Sequence, residues 1–449
     1  MPLARLYPLR GIPHPRRVWA WISFDVANQS FTLIINTLLF SIFFREVVVR
    51  DKARDDTLWS ILFAVSMLLV VVASPIAGAV ADGKHCKKAC LVGSGLLCAA
   101  LTCGLALIGP GALWLTVLLY IPANFCFNIG ENFLASFLPS LARRDEFGRV
   151  SGFSWGVAYS SALLMLLLVG GTMMLLKLNS PDDWRPFFVA AGLWFAVFTI
   201  PTIFFLPEDR SSAPDPGNAV AVGFRRLLQS ARDAAKFRDL AILLIASFFY
   251  GGAMSVVVSF ASILADGFGF KEARLVGFVA VITLSGVVGT LIPTFFQDRL
   301  GHKRMTLALL GLWLFTTLYL AWIAQAHASH PAGFTPSQWP IWLAGNLLGF
   351  GLGSLGSANR AFVGFLTPPD RSAEFFGIWG LVFKAAAVLV IPFGIVKDQL
   401  GMAPSLLVLT GMVVTGLVVT LFVNERRGAL AAGTGPAHPT GGGATTRAA

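Results

Sequence analysis

The stretch from Val18 to Glu46 constrains this chain most. It is long enough to cross a bilayer as one helix, yet it carries Asp25, Asn28, Gln29, Thr32 and Asn36. An ionisable side chain facing hydrocarbon costs roughly 3 kcal/mol or more. At helical spacing Asp25, Asn28, Thr32 and Asn36 share one face, while Phe24, Phe31, Leu38 and Leu39 cover most of the rest. That polar face has to look into protein or a wet cavity, either as a wall that a solute touches or as glue between helices.

The rest of the chain agrees. Hydrophobic residues make up 56%, charged residues 13%, and the mean hydropathy is +0.73, too apolar for a water-soluble surface. Apolar runs of about 20 residues predict twelve spans, at 18–46, 57–81, 89–108, 112–138, 150–176, 186–206, 239–265, 275–296, 304–325, 338–366, 374–397 and 402–423. With the N-terminus placed inside, 23 of the 34 lysines and arginines fall in inner segments and 9 in outer ones. This is the positive-inside bias. It accounts for the net charge of +11 without a nucleic-acid partner. Both termini are expected in the cytoplasm, the chain in a cell inner membrane, and the molecule a monomer in the lipid bilayer.

The spans come as two matching sets. Asp82-Gly-Lys-His-Cys-Lys-Lys88 after the second span corresponds to Asp298-Arg-Leu-Gly-His-Lys-Arg304 after the eighth, and Phe137-Leu-Pro with Gly152-Phe-Ser-Trp-Gly156 resembles Phe365-Leu-Thr-Pro with Gly377-Ile-Trp-Gly380. The expected fold is therefore all-α, with twelve transmembrane helices in two six-helix pseudo-symmetric bundles. A basic leader (1–17) precedes the first bundle (18–206). A cytoplasmic linker (207–238) follows, in which Phe224 to Phe237 reads as a basic amphipathic helix, then the second bundle (239–424). A Gly- and Ala-rich tail (425–449) is expected to be disordered.

Four ionisable residues lie well inside spans: Asp25, Glu131, Arg360 and Lys384. At about 1.5 Å of rise per residue all four fall roughly 10–15 Å from the inner face, a single charged layer of two acids and two bases. Asn124, Asn128 and Asn132 extend the stripe around Glu131, Asn346 and a row of glycines lead to Arg360, and Tyr250 gives the seventh span a polar face. In one reading Arg360 or Lys384 binds a carboxylate while Asp25 or Glu131 takes an amine or a coupling proton. In another the four charges pair with one another as a gate or brace, and a lipidic ligand is a third. No histidine falls inside a predicted span, so a coupled proton has to ride on a carboxylate. At the inner loops Asp82, Lys87, Lys88, Asp298, Arg299, Lys303 and Arg304 form a candidate gating latch, the acids accepting from helix N-terminal amides and nearby bases.

These motifs resemble the major facilitator superfamily. Within it, Ser23-Phe-Asp-Val-Ala-Asn-Gln-Ser-Phe31, Gly148-Arg-Val-Ser-Gly-Phe-Ser-Trp-Gly156 and Pro368-Pro-Asp-Arg-Ser-Ala-Glu-Phe-Phe-Gly377, followed by Lys384, resemble the vacuolar amino-acid effluxer-like branch, which includes autophagy-related permeases. Phe24, Val26 and Gln29 depart from that branch's usual Tyr, Trp and Ser. The resemblance implies secondary active transport of an amino acid or similar zwitterion, in the export direction, by alternating access. Drugs, sugars or lipids are the alternative cargoes in the same fold, and a membrane receptor or lipid-acting enzyme the alternative classes. No nucleotide-binding glycine loop is present, no cofactor or metal is expected, and five cysteines, Cys86, Cys90, Cys98, Cys103 and Cys126, are not placed for an external disulfide.

Overall fold

The computed structural model describes residues 15–433, apart from 144–146, 179, 209–224, 226, 227, 230, 231, 330–337 and 369–370, together with Leu9, Ile12 and His14. Twelve membrane-length helical spans account for almost all of it. They are α1 (Pro15–Leu38, bent by 40° into Phe40–Val49), α2 (Asp55–Gly83), α3 (Lys87–Gly104), α4 (Leu113–Ser136), α5 (Phe147–Leu176) and α6 (Arg185–Phe205) in one bundle. The second bundle holds α7 (Arg238–Gly267), α8 (Glu272–Leu300), α9 (His302–Ala328), α10 (Trp339–Phe365), α11 (Ser372–Leu400, loosened to a 3-10 turn at Ala386–Leu389) and α12 (Met402–Leu421). Large apolar side chains such as Leu118, Leu167, Phe204, Phe315 and Trp322 stand exposed around the circumference, as a lipid-facing surface requires.

The start of α1, the end of α12 and the described even-to-odd turns share one face, called here the terminal face, and the described odd-to-even turns lie on the far face. Some turns are only one residue long. Gly301 (φ 87°) separates α8 from α9 and Gly401 (φ 90°) separates α11 from α12, a conformation that an L side chain rarely adopts. The internal repeat reaches the helix starts. Glu208, just after α6, accepts from the Lys88 amide at 2.7 Å, and Glu425, just after α12, accepts from the amides of His302 and Lys303 at 2.9 and 3.1 Å. A carboxylate on orphan helix N–H groups satisfies donors that lipid could not.

The expected disordered tail needs correction at its start. Glu425–Ala432 is a helix, α13, docked on the terminal face. Asp239 takes two hydrogen bonds of 2.7 Å from Arg427 and one from the Asn424 amide, and Gly428 lies against Leu366 and the Asp239 side chain. The remainder of the tail and five residues of the expected linker helix (224, 226, 227, 230 and 231) lie outside the described residues, while Arg225, Leu228, Gln229 and Arg232 to Lys236 are helical. Where the linker is described, Asp233 bridges Lys236 and Arg371, whose hydrogen bonds hold its carboxyl below the usual carboxylate range. That bridge is complete at neutral pH and is lost as pH falls through the lowered value.

The two bundles touch on the far face. The Trp59 indole donates to Ser259 O at 2.9 Å, Ser41 and Ser262 share a hydrogen bond of 2.9 Å, and Gly394 lies against Ser60 and Asp56. Within the second bundle the α10 glycines serve packing. A Cβ at Gly353 would fall 2.0 Å from Gly286 O, and one at Gly349 would fall 2.5 Å from Ile282 O. The glycine row expected to lead a solute toward Arg360 is thus closed by α8. Gly353→Val should destabilise the protein by about 1–3 kcal/mol, whereas Gly156→Ala, with open space at its Cβ, should leave thermal unfolding in detergent unchanged.

Candidate functional site

Toward the terminal face the bundles separate, and side chains in the middle of the protein become accessible. On α4, Glu131, Asn132, Ala135 and Ser136 are exposed, as are Gly152, Trp155 and Gly156 on α5 and Arg360 and Ala361 on α10. They do not face lipid, because they flank the gap between bundles. A cleft of about 210 Å³ lined by Ser74, Gly78, Asn132 and Ser136 continues from there down to Lys87.

The charged layer surrounds this space. Asp25 on α1 accepts a hydrogen bond of 2.7 Å from Ser154 on α5. One turn further along α5, Tyr159 lies within the fields of both Asp25 and Arg360. The Arg360 guanidinium sits 5.9 Å from the Trp155 ring of the first bundle and 5.8 Å from the Trp379 ring of its own. Lys384 on α11 reaches across to the first bundle, where it donates to Asn132 Oδ1 at 3.0 Å and Asn128 O at 3.5 Å. Glu131 completes the ring, with Lys384 and Asp25 as the charges that act on it.

All four residues expected in the layer are therefore brought together, but they do not neutralise one another. Among the described residues no ion pair joins any two of them. Asp25 is hydrogen-bonded to a serine, Lys384 to an amide and a carbonyl, and Arg360 is held by two indoles. The expected Asp25 pairing with Arg360 or Lys384 is not formed in this conformation.

Several other expected site residues have different surroundings. Asn128 donates to Asn124 O at 2.9 Å, and Asn124 joins Asn36, Tyr120 and Ser66 in one buried ladder across α1, α2 and α4. The outer half of the α1 polar face is glue, and only its Asp25 end is wall. Asn28 lies between the two, with both amide atoms enclosed and without a hydrogen-bond partner. Tyr250 is fully buried, its hydroxyl donating to Asn359 Oδ1 and paired with Ser247, out of reach of a solute in the cavity. Asn346 accepts from Ser285 and donates to Trp342 O, closer to the far face than the charged layer.

The side chains of the latch acids Asp82 and Asp298 lie outside the described residues. Among the helix-start amides, that of Lys88 donates to Glu208 and those of His302 and Lys303 donate to Glu425, each within its own bundle. Lys303 donates to Leu421 O at 2.7 Å, and Arg299 and Arg304 are exposed. Residues the sequence reading missed are Ser154, Trp155, Tyr159 and Trp379. The spacing of Ser154, Trp155 and Tyr159 puts them on one face of α5, and that face was the available signal.

The model of the family described as vacuole effluxer Atg22 like matches residues 48–433. An uncharacterized MFS-type transporter, YxiO of Bacillus subtilis, is 23% identical over 421 residues, covering 90% of this chain and 94% of the relative. Autophagy-related protein 22 of Candida glabrata is 25% identical over 429 residues, covering 82% and 77%. Among solved structures, the inward-open xylose transporter XylE of E. coli shares the fold with a TM-score of 0.65 at 12% identity, over 91% of this chain and 95% of that one.

The surroundings of Asp25 make its role testable by stability. An Asn side-chain oxygen can still accept from Ser154, and no cation loses an ion pair, so Asp25→Asn should change unfolding stability by less than about 1 kcal/mol. Breaking a buried ion pair would instead cost about 3–5 kcal/mol. Thermal unfolding of both proteins in detergent distinguishes the two.

Proposed function

The chain belongs to the vacuole effluxer Atg22-like family, a multi-pass membrane transporter of the major facilitator type, and from that premise we propose that it carries a small zwitterion, an amino acid or a close analogue, by alternating access. The observation that carries this reading is the separation of charges around the cavity. Two acids and two bases face one space without pairing, and a solute with one charge of each sign complements them. A neutral sugar would leave those charges unused.

Arg360 is the better of the two cations for a carboxylate. Among the described residues its N–H groups have no protein acceptor, while the indoles of Trp155 and Trp379 flank the guanidinium. A planar guanidinium can grip a carboxylate with two parallel hydrogen bonds. Lys384 already donates across the bundle gap, which suits a brace that shifts when the bundles rock. Asp25 and Glu131 supply the negative side, one for the substrate ammonium and the other for a coupling proton. No metal or nucleotide takes part in this scheme, and a single chain contains the whole cavity.

The positive-inside bias supports the terminal face as the cytoplasmic one, a cavity reached from within, and with it export through a cell inner membrane. The test is flux from proteoliposomes loaded with mixed amino acids and small peptides, with and without a pH gradient. Export of a defined amino acid, quickened by the gradient, is expected. Arg360→Lys should raise the KM about 10-fold or more, since a charged hydrogen bond contributes about 1.5–3 kcal/mol. Asp25→Asn, though folded, should lose the response to the gradient. Flux of sugars with none of amino acids would overturn the reading.

A further inference from the structure

The far-face seal contains a second group of buried charges, unrelated to the layer around the cavity. Arg45 near the end of α1 contacts Asp55 at 3.3 Å and Asp56 at 2.9 Å, both at the start of α2. From the other bundle, Lys397 on α11 pairs with Asp56. Its neighbour Asp398 accepts from the Asp56 and Thr57 amides at 3.1 and 2.7 Å, capping the first turn of α2 across the bundle interface. Three carboxylates and two cations meet there, with Asp55 and Asp56 buried at 1% and 2% exposure and the others half-buried.

The compensation is uneven. Asp398 is answered by two helix N–H groups and the positive end of the α2 dipole. Asp56 is answered by both Arg45 and Lys397. Asp55 is left with a share of Arg45, and neither of its oxygens receives a hydrogen bond. The charges that act on Asp55 are Arg45, Lys397, Asp56 and Asp398. Others nearby are engaged elsewhere or in water: Glu46 and Arg50 are exposed, Arg54 pairs with Asp51, Asp182 with Arg185, and Asp266 with Lys271. A buried carboxylate that only shares a cation and accepts no hydrogen bond is costly to keep charged, and a bound proton removes that cost.

We infer that the far-face seal is a proton-operated gate, in which closure over Asp55 takes up one proton from that side and opening releases it. No covalent bond other than the O–H of the Asp55 carboxyl forms or breaks. Protons bind the closed form in excess over the open one, so acid favours closure, and the seal loosens as pH rises. This needs alternating access but not any particular solute. Failure of the amino-acid assignment would leave it intact.

Hydrogen–deuterium exchange of the full chain in lipid nanodiscs tests it, because the Asp56 and Thr57 amides are capped by Asp398 only while the seal is closed. Labelling times are scaled for the intrinsic pH dependence of exchange. In the wild type, protection of the segment at 55–60 is expected to fall about 10-fold or more between pH 5 and pH 8, the equivalent of about 1.4 kcal/mol. Asp55→Asn should keep its acid-level protection throughout, and Asp398→Asn should lose protection at every pH. Sodium varied at fixed pH should have no effect. Should Asp55→Asn fail to fold, Asp55→Glu takes its place and should move the midpoint of the profile. Flat protection in the wild type, an unaltered profile in the Asp55 variant, or a response to sodium instead of pH would overturn the gate.

Discussion

Everything in this protein depends on where polar groups can be placed when lipid surrounds the outside. A buried donor or carboxylate without a partner costs several kcal/mol, so each must find protein or water. Most of the described polar groups follow that rule, Asn28 and Asp55 being exceptions. Helix starts are capped by Glu208, Glu425 and Asp398. The Asn36–Asn124–Asn128 ladder closes on itself inside the first bundle. Apart from Asp55 in the far-face seal, the buried charges left without an ion pair among the described residues are those of the Asp25, Glu131, Arg360 and Lys384 layer, where the bundles part and water can enter.

Large-scale architecture was legible in the sequence because membrane burial turns composition into topology. Twelve apolar runs and a duplicated basic loop leave few arrangements open. The depth of the four charges was legible for the same reason, since helical rise converts residue number into distance. Partner choice was not. Asp25 and Asn36 lie on one face of α1, yet one borders the cavity and the other is locked to Asn124. Nothing in α1 itself distinguishes them, because the difference lies in which neighbouring helix stands opposite. Tyr250 and the α10 glycines mislead in the same way: polarity and small size invite a solute in sequence, and α8 or Asn359 occupies the space in the fold. The α13 helix was hidden by its Gly- and Ala-rich composition, which gives no periodic signal. Its anchor is Asp239, nearly two hundred residues earlier.

The two charge groups divide the work of alternating access by their chemistry. In the far-face seal each buried charge has a close partner from the opposite bundle or its own, Asp55 only a shared one, so closure there is set by direct contacts and exclusion of water. Around the cavity the charges are held by neutral groups: a serine, amides, indoles. Neutral partners hold geometry without cancelling charge, and the field of the layer stays available to whatever enters.

That contrast explains why one molecule can be closed on one side while open on the other. A seal of matched charges and helix caps is cheap to keep dry but costly to open until its ions are hydrated. A layer of unmatched charges is the reverse, costly to dry until something of opposite charge arrives. In the transport cycle proposed above, a zwitterion bound between Arg360 and the acids would supply what the layer lacks and let the bundles close over it. The far-face seal must then give up its pairs to water. In that proposed cycle the substrate would lower the cost of drying one side, and release of the Asp398 cap would set the cost of wetting the other. A carrier needs these two costs to be close, since a solute can shift the balance only by its differential affinity for the two states.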